Sequence, residues 1–229
     1  MIERFVRPPR WLAIALFAGG LIAAAWRIPA APPLVLEPLP SVQPAADELP
    51  PAARHSPDPV SLTRLADGRL AMAWLDNGDA ENAAIWLAIH DRNGWREVGR
   101  IASRESTAAA AFMHAQAVGH PILWAEGGWL HLWYEAYPLN RGAGASILHS
   151  LSTDGGRNWS RTERLESSPF GGFGARLGHT PRPLADGGLL LPLAPDGREA
   201  SWLRLAATGQ VIEKIRLPVV APPAEAAQP

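Results

Sequence analysis

Arginine, carboxylate, histidine and tyrosine side chains recur at the predicted loops of this 229-residue chain. An Arg guanidinium can bind a carboxylate through two parallel hydrogen bonds, and a carboxyl group can protonate a glycosidic oxygen. The set is therefore suited to a sugar that carries a negative charge. The candidate residues for such a site include the carboxylates Asp76 and Asp79, and the candidate substrate-binding residues are Arg54, His55, Glu135, Tyr137, Arg141, Arg176 and His179.

The direction of the strands assigns these residues to one face. If the first strand of each sheet starts at that face, the second strand ends there. The face is then built from the loops after second strands and from the connections between sheets, and it also holds Asp58, Glu81, Asn140, Asp196, Arg198 and Glu199. The alternative is that all of these are ordinary polar loop residues, because surface loops are generally polar.

A repeated turn predicts the strands. Leu65-Ala66-Asp67-Gly68 recurs as Leu184-Ala185-Asp186-Gly187, a weaker copy ends at Gly127, and the three glycines lie 59 and 60 residues apart. Four β-rich runs follow the same order in each unit, which is typical of a propeller blade, so we expect an all-β fold of about three blades. The predicted strands lie at about 59–65, 69–75, 84–90, 95–101, 120–125, 129–135, 146–152, 159–165, 180–185, 188–194, 201–207 and 210–217, with an irregular or briefly helical connection at 104–117.

Composition excludes several classes of site. The chain has no cysteine, which rules out thiol catalysis, disulfides and Cys-based metal sites. Its seven histidines show no H-x-x-x-H spacing, so we interpret them as structural and expect no metal or cofactor. A net charge of −1 without a basic stripe argues against nucleic acid as a partner.

The stretch from Ser152 to Trp159 predicts a reinforced hairpin. Asp154 can accept hydrogen bonds from amides two and three residues on, adjacent glycines including Gly156 supply positive φ, and Trp159 can bury its indole beneath the turn. This S-x-D-x-G-x-x-W pattern resembles the Asp-box of the sialidase (neuraminidase) superfamily, in which the motif is architectural.

The resemblance extends over residues 54–218, the N-terminal half of a six-bladed fold, and is strongest to predicted bacterial neuraminidase-like proteins of the BNR/Asp-box type. It is carried by Ala83-Ala84-Ile85-Trp86, Gly119-His120-Pro121-Ile122-Leu123, Leu132-Trp133-Tyr134 and Ser168-Pro169-Phe170-Gly171. It implies that Arg54 binds the substrate carboxylate and that Asp76 or Asp79 is the acid/base residue. It places the nucleophilic Tyr, its Glu partner and two further arginines in later blades, so neither Tyr134 nor Tyr137 matches that nucleophile.

The segments around the repeats predict export. Residues 1–28 carry three arginines ahead of an apolar run, which favours a membrane anchor facing the periplasm or exterior, or a cleaved signal segment. Residues 29–53 form a Pro-rich linker and residues 219–229 a disordered tail.

Three functions remain open at the level of sequence. The chain is part of a sialidase-like exo-glycosidase completed by a second chain or copy, a non-catalytic module that binds acidic glycans, or a truncated and inactive fragment. We expect self-association, because an open arc of three blades would expose apolar flanks that include Trp74, Trp86 and Leu190.

Overall fold

The computed structural model describes residues 53–54, 56, 58–76, 83–139, 144–167, 174–195 and 199–218, together with Trp11, Phe17, Ala18 and Pro50. The chain divides into an N-terminal unit, Met1–Pro33, and a second unit, Leu34–Pro229, which contains all the described strands. Trp11, Phe17 and Ala18 are helical. None of the described helices is long and apolar enough to cross a membrane. The rest of the predicted anchor, and nearly all of the predicted linker and tail, lie outside the described residues.

The second unit contains three antiparallel sheets of four strands each, in chain order. Sheet 1 comprises β1 (Ser61–Arg64), β2 (Leu70–Asp76), β3 (Ala84–Asp91) and β4 (Gly94–Ser103). Sheet 2 comprises β5 (Ala117–Glu126), β6 (Trp129–Tyr137), β7 (Ser146–Ser152) and β8 (Glu163–Arg164). Sheet 3 comprises β9 (Arg182–Pro183), β10 (Leu189–Pro192), β11 (Glu199–Leu205) and β12 (Val211–Pro218). The predicted order of twelve strands in three units is confirmed.

Two predicted strands are shorter in the structure. The strand predicted at 180–185 is reduced to β9, because Pro181 and Pro183 lack the amide that a continuous ladder needs. The strand predicted at 159–165 is reduced to β8, although the amides of Ser160 and Leu165 still donate to carbonyls of β7.

The connection between the first two sheets contains one helix, α1 (Arg104–Ala111). Ser103 caps its N-terminus, accepting a hydrogen bond from the Ser106 amide at 3.2 Å, and Ser106 Oγ accepts from the Ser103 amide at 2.9 Å. Buried Thr107 makes a hydrogen bond with the Tyr134 hydroxyl at 2.9 Å, which fixes α1 to sheet 2.

The sheets pack face to face through two apolar layers. The first joint, between sheets 1 and 2, includes Leu75, Leu87 and Leu132. The second joint, between sheets 2 and 3, includes Trp133, Leu191 and Leu203. The turns that join first and second strands lie at the opposite end of the joints from the predicted functional face.

Side chains of the first inner strand also bind the backbone of the next. Ser61 Oγ accepts from the Leu123 amide at 2.8 Å, and Thr63 Oγ1 accepts from the Ala125 amide at 3.1 Å. In both pairs the two residues are 62 positions apart, so β1 and β5 run parallel in a fixed register. Amides on the edge of β5 are thereby satisfied without a fifth strand.

The connection between β7 and β8 has the geometry of an Asp-box. Asp154 Oδ1 accepts from the amides of Arg157 and Asn158 at 3.0 and 2.9 Å, three and four residues on rather than two and three. These hydrogen bonds, those from Asn158 first, lower the pKa of Asp154 to about 2. Ser152 Oγ accepts from the Gly156 amide, and the Trp159 indole N–H donates to the Gly156 carbonyl. Gly156 has φ +89°, and a Cβ there would lie 2.6 Å from Leu87 of sheet 1, so the turn locks against the first joint.

Two of the three apolar side chains expected to be exposed on the flanks are buried. Trp74 lies on the face of β2 that points away from sheet 2, yet its side chain is buried among Ala53, Met72 and Ala88. Leu190 of β10 is buried as well. Trp86 of β3 is only half-buried, and self-association stays a prediction.

Candidate functional site

The two faces of β6 have different chemistry. Leu130, Leu132 and Tyr134 point towards sheet 1 and belong to the first joint. The alternating residues point towards sheet 3 and are mostly polar or aromatic, and they are Trp129, His131, Trp133, Glu135 and Tyr137. Glu135 and Tyr137 come last, so they lie at the end of β6 that belongs to the predicted functional face.

Glu135 is the centre of the site. Its side chain has no solvent exposure. Its Oε1 accepts from the Leu177 amide at 2.6 Å, its Oε2 accepts from the Tyr137 hydroxyl, and Arg176 Nε lies 3.5 Å from Oε2. A buried carboxylate is tolerated only when it is paired and hydrogen-bonded, and these three partners provide both.

Tyr137 donates to this carboxylate and remains protonated. Burial, followed by the hydrogen bond to Glu135, raises the pKa of Tyr137 well above its usual range. At neutral pH the phenol is a hydrogen-bond donor and not a phenolate. A Tyr–Glu pair thus exists within the second sheet, although the sequence resemblance places such a pair in later blades.

Arg176 is the solvent-accessible member of the group. Half of its side chain is exposed, and the charge of Glu135 raises its pKa. Its guanidinium contacts both Glu135 and Tyr137, and the exposed half of the side chain is accessible to a ligand. Glu135 and Tyr137 therefore position an arginine at the surface.

Asp58 is a residue that the sequence did not single out as a candidate. Its Oδ2 accepts from the His120 amide at 2.7 Å. A Cβ on Gly119 would lie 2.6 Å from that oxygen, so a larger residue at this position would displace the Asp58 carboxylate. The charge of Asp58 also contributes to the raised pKa of Tyr137. The strand-direction argument placed Asp58 on this face, but nothing in its local sequence marked it.

The other predicted site residues divide into two groups. Arg54 is exposed in a short turn before β1, Asp76 is the half-buried last residue of β2, and His179 is exposed between Arg176 and β9. The contacts described above join Glu135, Tyr137, Arg176 and Asp58. His55, Asp79 and Arg141 lie outside the described residues, as do Glu81, Asn140, Asp196 and Arg198.

A second polar cluster lies at the other end of the second joint. His131 Nδ1 and His149 Nε2 make a hydrogen bond at 3.0 Å, and both rings stack on Trp133. Burial lowers the pKa of His131 to about 4 and that of His149 to about 3. The pair is neutral at physiological pH. No group of three or more His, Asp or Glu able to hold a metal ion occurs among the residues that the structure describes.

Residues 68–227 match the BNR repeat-like domain family. The chain belongs to this family. The match covers most of the three sheets, and it confirms the resemblance that the Asp-box indicated. No curated protein is similar to this BNR repeat-like chain.

Solved structures share the fold of this BNR chain at low sequence identity. An α-L-arabinanase of Penicillium chrysogenum is 17% identical with a TM-score of 0.51, over 72% of this chain and 50% of that chain. A GH93 α-L-arabinofuranosidase of Fusarium graminearum is 15% identical with a TM-score of 0.50, over 72% and 50%. An exo-β-1,3-galactanase of Clostridium thermocellum is 16% identical with a TM-score of 0.51, over 70% and 37%. The BNR chain has the fold of propeller glycoside hydrolases and spans half or less of these relatives.

Proposed function

We propose that this BNR chain binds an acidic glycan on the face formed by the end of β6 and the segment before β9. The observation that carries the proposal is the buried Glu135, which holds Arg176 at the surface with half of its side chain exposed. A buried carboxylate is costly, and a surface arginine needs no such support for solubility. The arrangement is suited to pre-orienting a guanidinium for a ligand.

Arg176 binds the carboxylate of the sugar, and the neighbouring carboxylates bind its hydroxyl groups. The guanidinium edge that faces solvent can form two parallel hydrogen bonds with a carboxylate. Asp58 and Asp76 are half-buried acceptors on the same face, and sugar hydroxyls are donors. Arg54 supplies a second positive charge before β1. Asp58 and Asp76 keep the sugar oriented while Arg176 selects for its charge.

We infer that hydrolysis requires further blades besides the three sheets described. Sialidase-type chemistry uses a tyrosine nucleophile with a Glu partner, and the sequence resemblance places that pair in later blades and not at Tyr137. The fold relatives are about two to three times longer than the matched region, since 50% and 37% of their chains are covered. We infer that the chain becomes an exo-glycosidase only when a second chain or copy completes the ring, with Asp76 or Asp79 as the acid/base residue. Alone it is a glycan-binding module.

The same proposal places the protein outside the cytoplasm. Residues 1–28 combine N-terminal arginines with an apolar run, and residues 29–53 are rich in proline. Protease treatment of intact cells tests this location. Digestion of the BNR domain only after the outer membrane is permeabilised would support a periplasmic location. Protection of the domain from protease in spheroplasts would contradict that location.

Binding is tested by calorimetry with the full chain. Sialyllactose should bind and lactose should not, because only the former carries a carboxylate. Arg176→Ala should weaken sialyllactose binding about tenfold or more, the magnitude of a charge-assisted contact. Arg92→Ala is the matched control, since Arg92 is exposed in the turn between β3 and β4 at the opposite end of the sheet. Equal affinities of the parent and Arg176→Ala, or equal binding of lactose, would contradict the proposal.

Completion of the ring is tested by mass and by activity. Light scattering after size exclusion should give a dimer or a larger assembly, and release of a fluorogenic sialoside's leaving group should be absent from the monomer. A monodisperse monomer that hydrolyses the sialoside would show that no second chain is needed.

A further inference from the structure

The first strand of sheet 2 is irregular where it passes the candidate site. Gly119 of β5 is paired with Glu135 of β6, and directly after Gly119 the register of the two strands shifts. His120 and Pro121 together lie opposite a single residue of β6, which is the arrangement of a β-bulge. Bulges are common next to active sites, where the extra residue changes the direction of a side chain.

The backbone of His120 is strained. His120 has a left-handed conformation with φ +50°, and Phe112 is the only other non-glycine residue with a positive φ among those that the structure describes. A residue that precedes proline normally adopts extended angles, so Pro121 makes this conformation less favourable still. Strain of this kind persists only where the surrounding structure holds it, and it is concentrated at functional sites.

Asp58 holds the bulge in place. The His120 amide donates to Asp58 Oδ2 at 2.7 Å, and Asp58 lies before β1, 62 positions earlier in the chain. A Cβ on Gly119 would lie 2.6 Å from the same oxygen, so the carboxylate is packed closely against this part of β5. The conformation of His120 therefore depends on a residue of the candidate site.

The imidazole of His120 is available to a ligand. Its backbone amide is used by Asp58, whereas no hydrogen bond or ion pair joins the ring to any residue that the structure describes. The residue is half-buried, and its chain neighbour Gly119 lies opposite Glu135, which supports Arg176. The molecule thus maintains a strained histidine beside the arginine without using its side chain internally.

We propose that the His120 imidazole contacts the bound glycan and makes a hydrogen bond with a sugar hydroxyl next to the carboxylate that Arg176 binds. One ring nitrogen of a neutral imidazole donates and the other accepts, which suits a hydroxyl group. The inference rests on the proposed function. It adds a specificity-determining contact from β5 to a site that is otherwise built from Asp58, the end of β6 and the segment before β9.

A glycine substitution separates binding from stability. His120→Gly removes the ring and relieves the strain, because glycine adopts a positive φ freely. In the full chain it should weaken sialyllactose binding about threefold to tenfold by calorimetry, the effect of a lost hydrogen bond. The midpoint of urea unfolding should stay equal or rise.

Phe112→Gly is the matched control. Phe112 has the same φ of +50° at the C-terminus of α1, and its ring contacts Arg161 ahead of β8. The substitution relieves the same kind of strain outside the candidate site, so sialyllactose affinity should be unchanged. His120→Asn keeps a donor and an acceptor and tolerates the left-handed backbone, so it should recover part of the affinity that His120→Gly loses.

The possible failures are distinguishable. Parent-like affinity of His120→Gly, with Arg176→Ala still weakened, would overturn the contact at His120 and leave the proposed function intact. A fall in both affinity and unfolding midpoint in His120→Gly would assign His120 a structural role and would also overturn the contact. Failure of the parent to bind sialyllactose would overturn both proposals.

Discussion

The two joints of this molecule differ in what they are made of. The core of the first joint is apolar, and the side chains of Asp58, Ser61 and Thr63 accept hydrogen bonds from backbone amides of β5. The second joint has an apolar centre at Trp133 but polar groups at both ends, with Glu135 and Arg176 at one and two stacked histidines at the other. One strand, β6, contributes to both joints with alternating residues. Under the proposed function, the second joint holds the arginine that binds the ligand, and the first joint contributes mainly to stability.

Removal of Glu135 should have the largest effect. Glu135→Ala leaves the Leu177 amide and the Tyr137 hydroxyl as buried donors without an acceptor, at about 1–3 kcal/mol each. We expect the free energy of unfolding to fall by about 2–6 kcal/mol, and glycan binding to be lost, because Arg176 loses its support. Urea unfolding and calorimetry measure the two effects. Glu163→Ala, at an exposed position on β8, should change neither.

Leu132→Ala in the first joint should separate stability from binding. Leu132 is almost completely buried, and truncation of such a leucine costs about 2–5 kcal/mol. Glycan affinity should be unchanged under conditions where the variant is folded. A variant that loses both would show that the first joint also shapes the site, and the contrast between the joints would fail.

Acid should weaken the second joint through His131 and His149. Their pKa values in the folded protein, about 4 and about 3, lie below the value of about 6.5 expected in the unfolded chain. Their contribution to stability is therefore complete above about pH 6.5 and is lost as the pH falls towards the folded values, at up to about 1.4 kcal/mol per pH unit for each histidine.

Unfolding measured from pH 7 to pH 4.5 checks this sign. His149→Phe keeps an aromatic ring beside Trp133 and removes one titrating group, so its stability should depend less on pH than that of the parent. His114→Ala, at an exposed site, should follow the parent. Identical slopes for all three proteins would show that the histidine pair does not control the acid response.

The smallest expected effect is a difference in stability between alanine substitutions at two glycines. Gly68 and Gly209 have φ +86° and +89°, so alanine is strained at both, at about 1 kcal/mol. Nothing lies within 4 Å of a Cβ on Gly68, whereas a Cβ on Gly209 would lie 2.2 Å from the His149 ring. Gly209→Ala should therefore cost more than Gly68→Ala, and thermal unfolding measures the difference. Equal costs would mean that His149 moves aside freely and does not brace the second joint.

The sequence by itself determined the repeated turns and the strand order. The turns at Gly68 and Gly187 and the Asp-box are local, since their hydrogen bonds join residues a few positions apart, and glycine alone tolerates their backbone angles. Strand direction also placed Glu135, Tyr137 and Arg176 on one face. This assignment needs only the direction of each strand, and the direction follows from the sequence because the chain reverses at every turn.

The tertiary structure alone decided which of those residues meet. The alternation in β6 places His131 and Glu135 on one face, but because both faces are buried it does not show which neighbouring sheet that face contacts. The Glu135 carboxylate binds an amide 42 residues away, and Asp58 binds one 62 residues away. The close approach of Asp58 to Gly119 and the contact between Gly209 and His149 likewise depend on how neighbouring sheets pack. Strand spacing within one sheet is set by local hydrogen bonds, but contacts between sheets are set by side-chain packing across the joints, and no local pattern in the sequence encodes them.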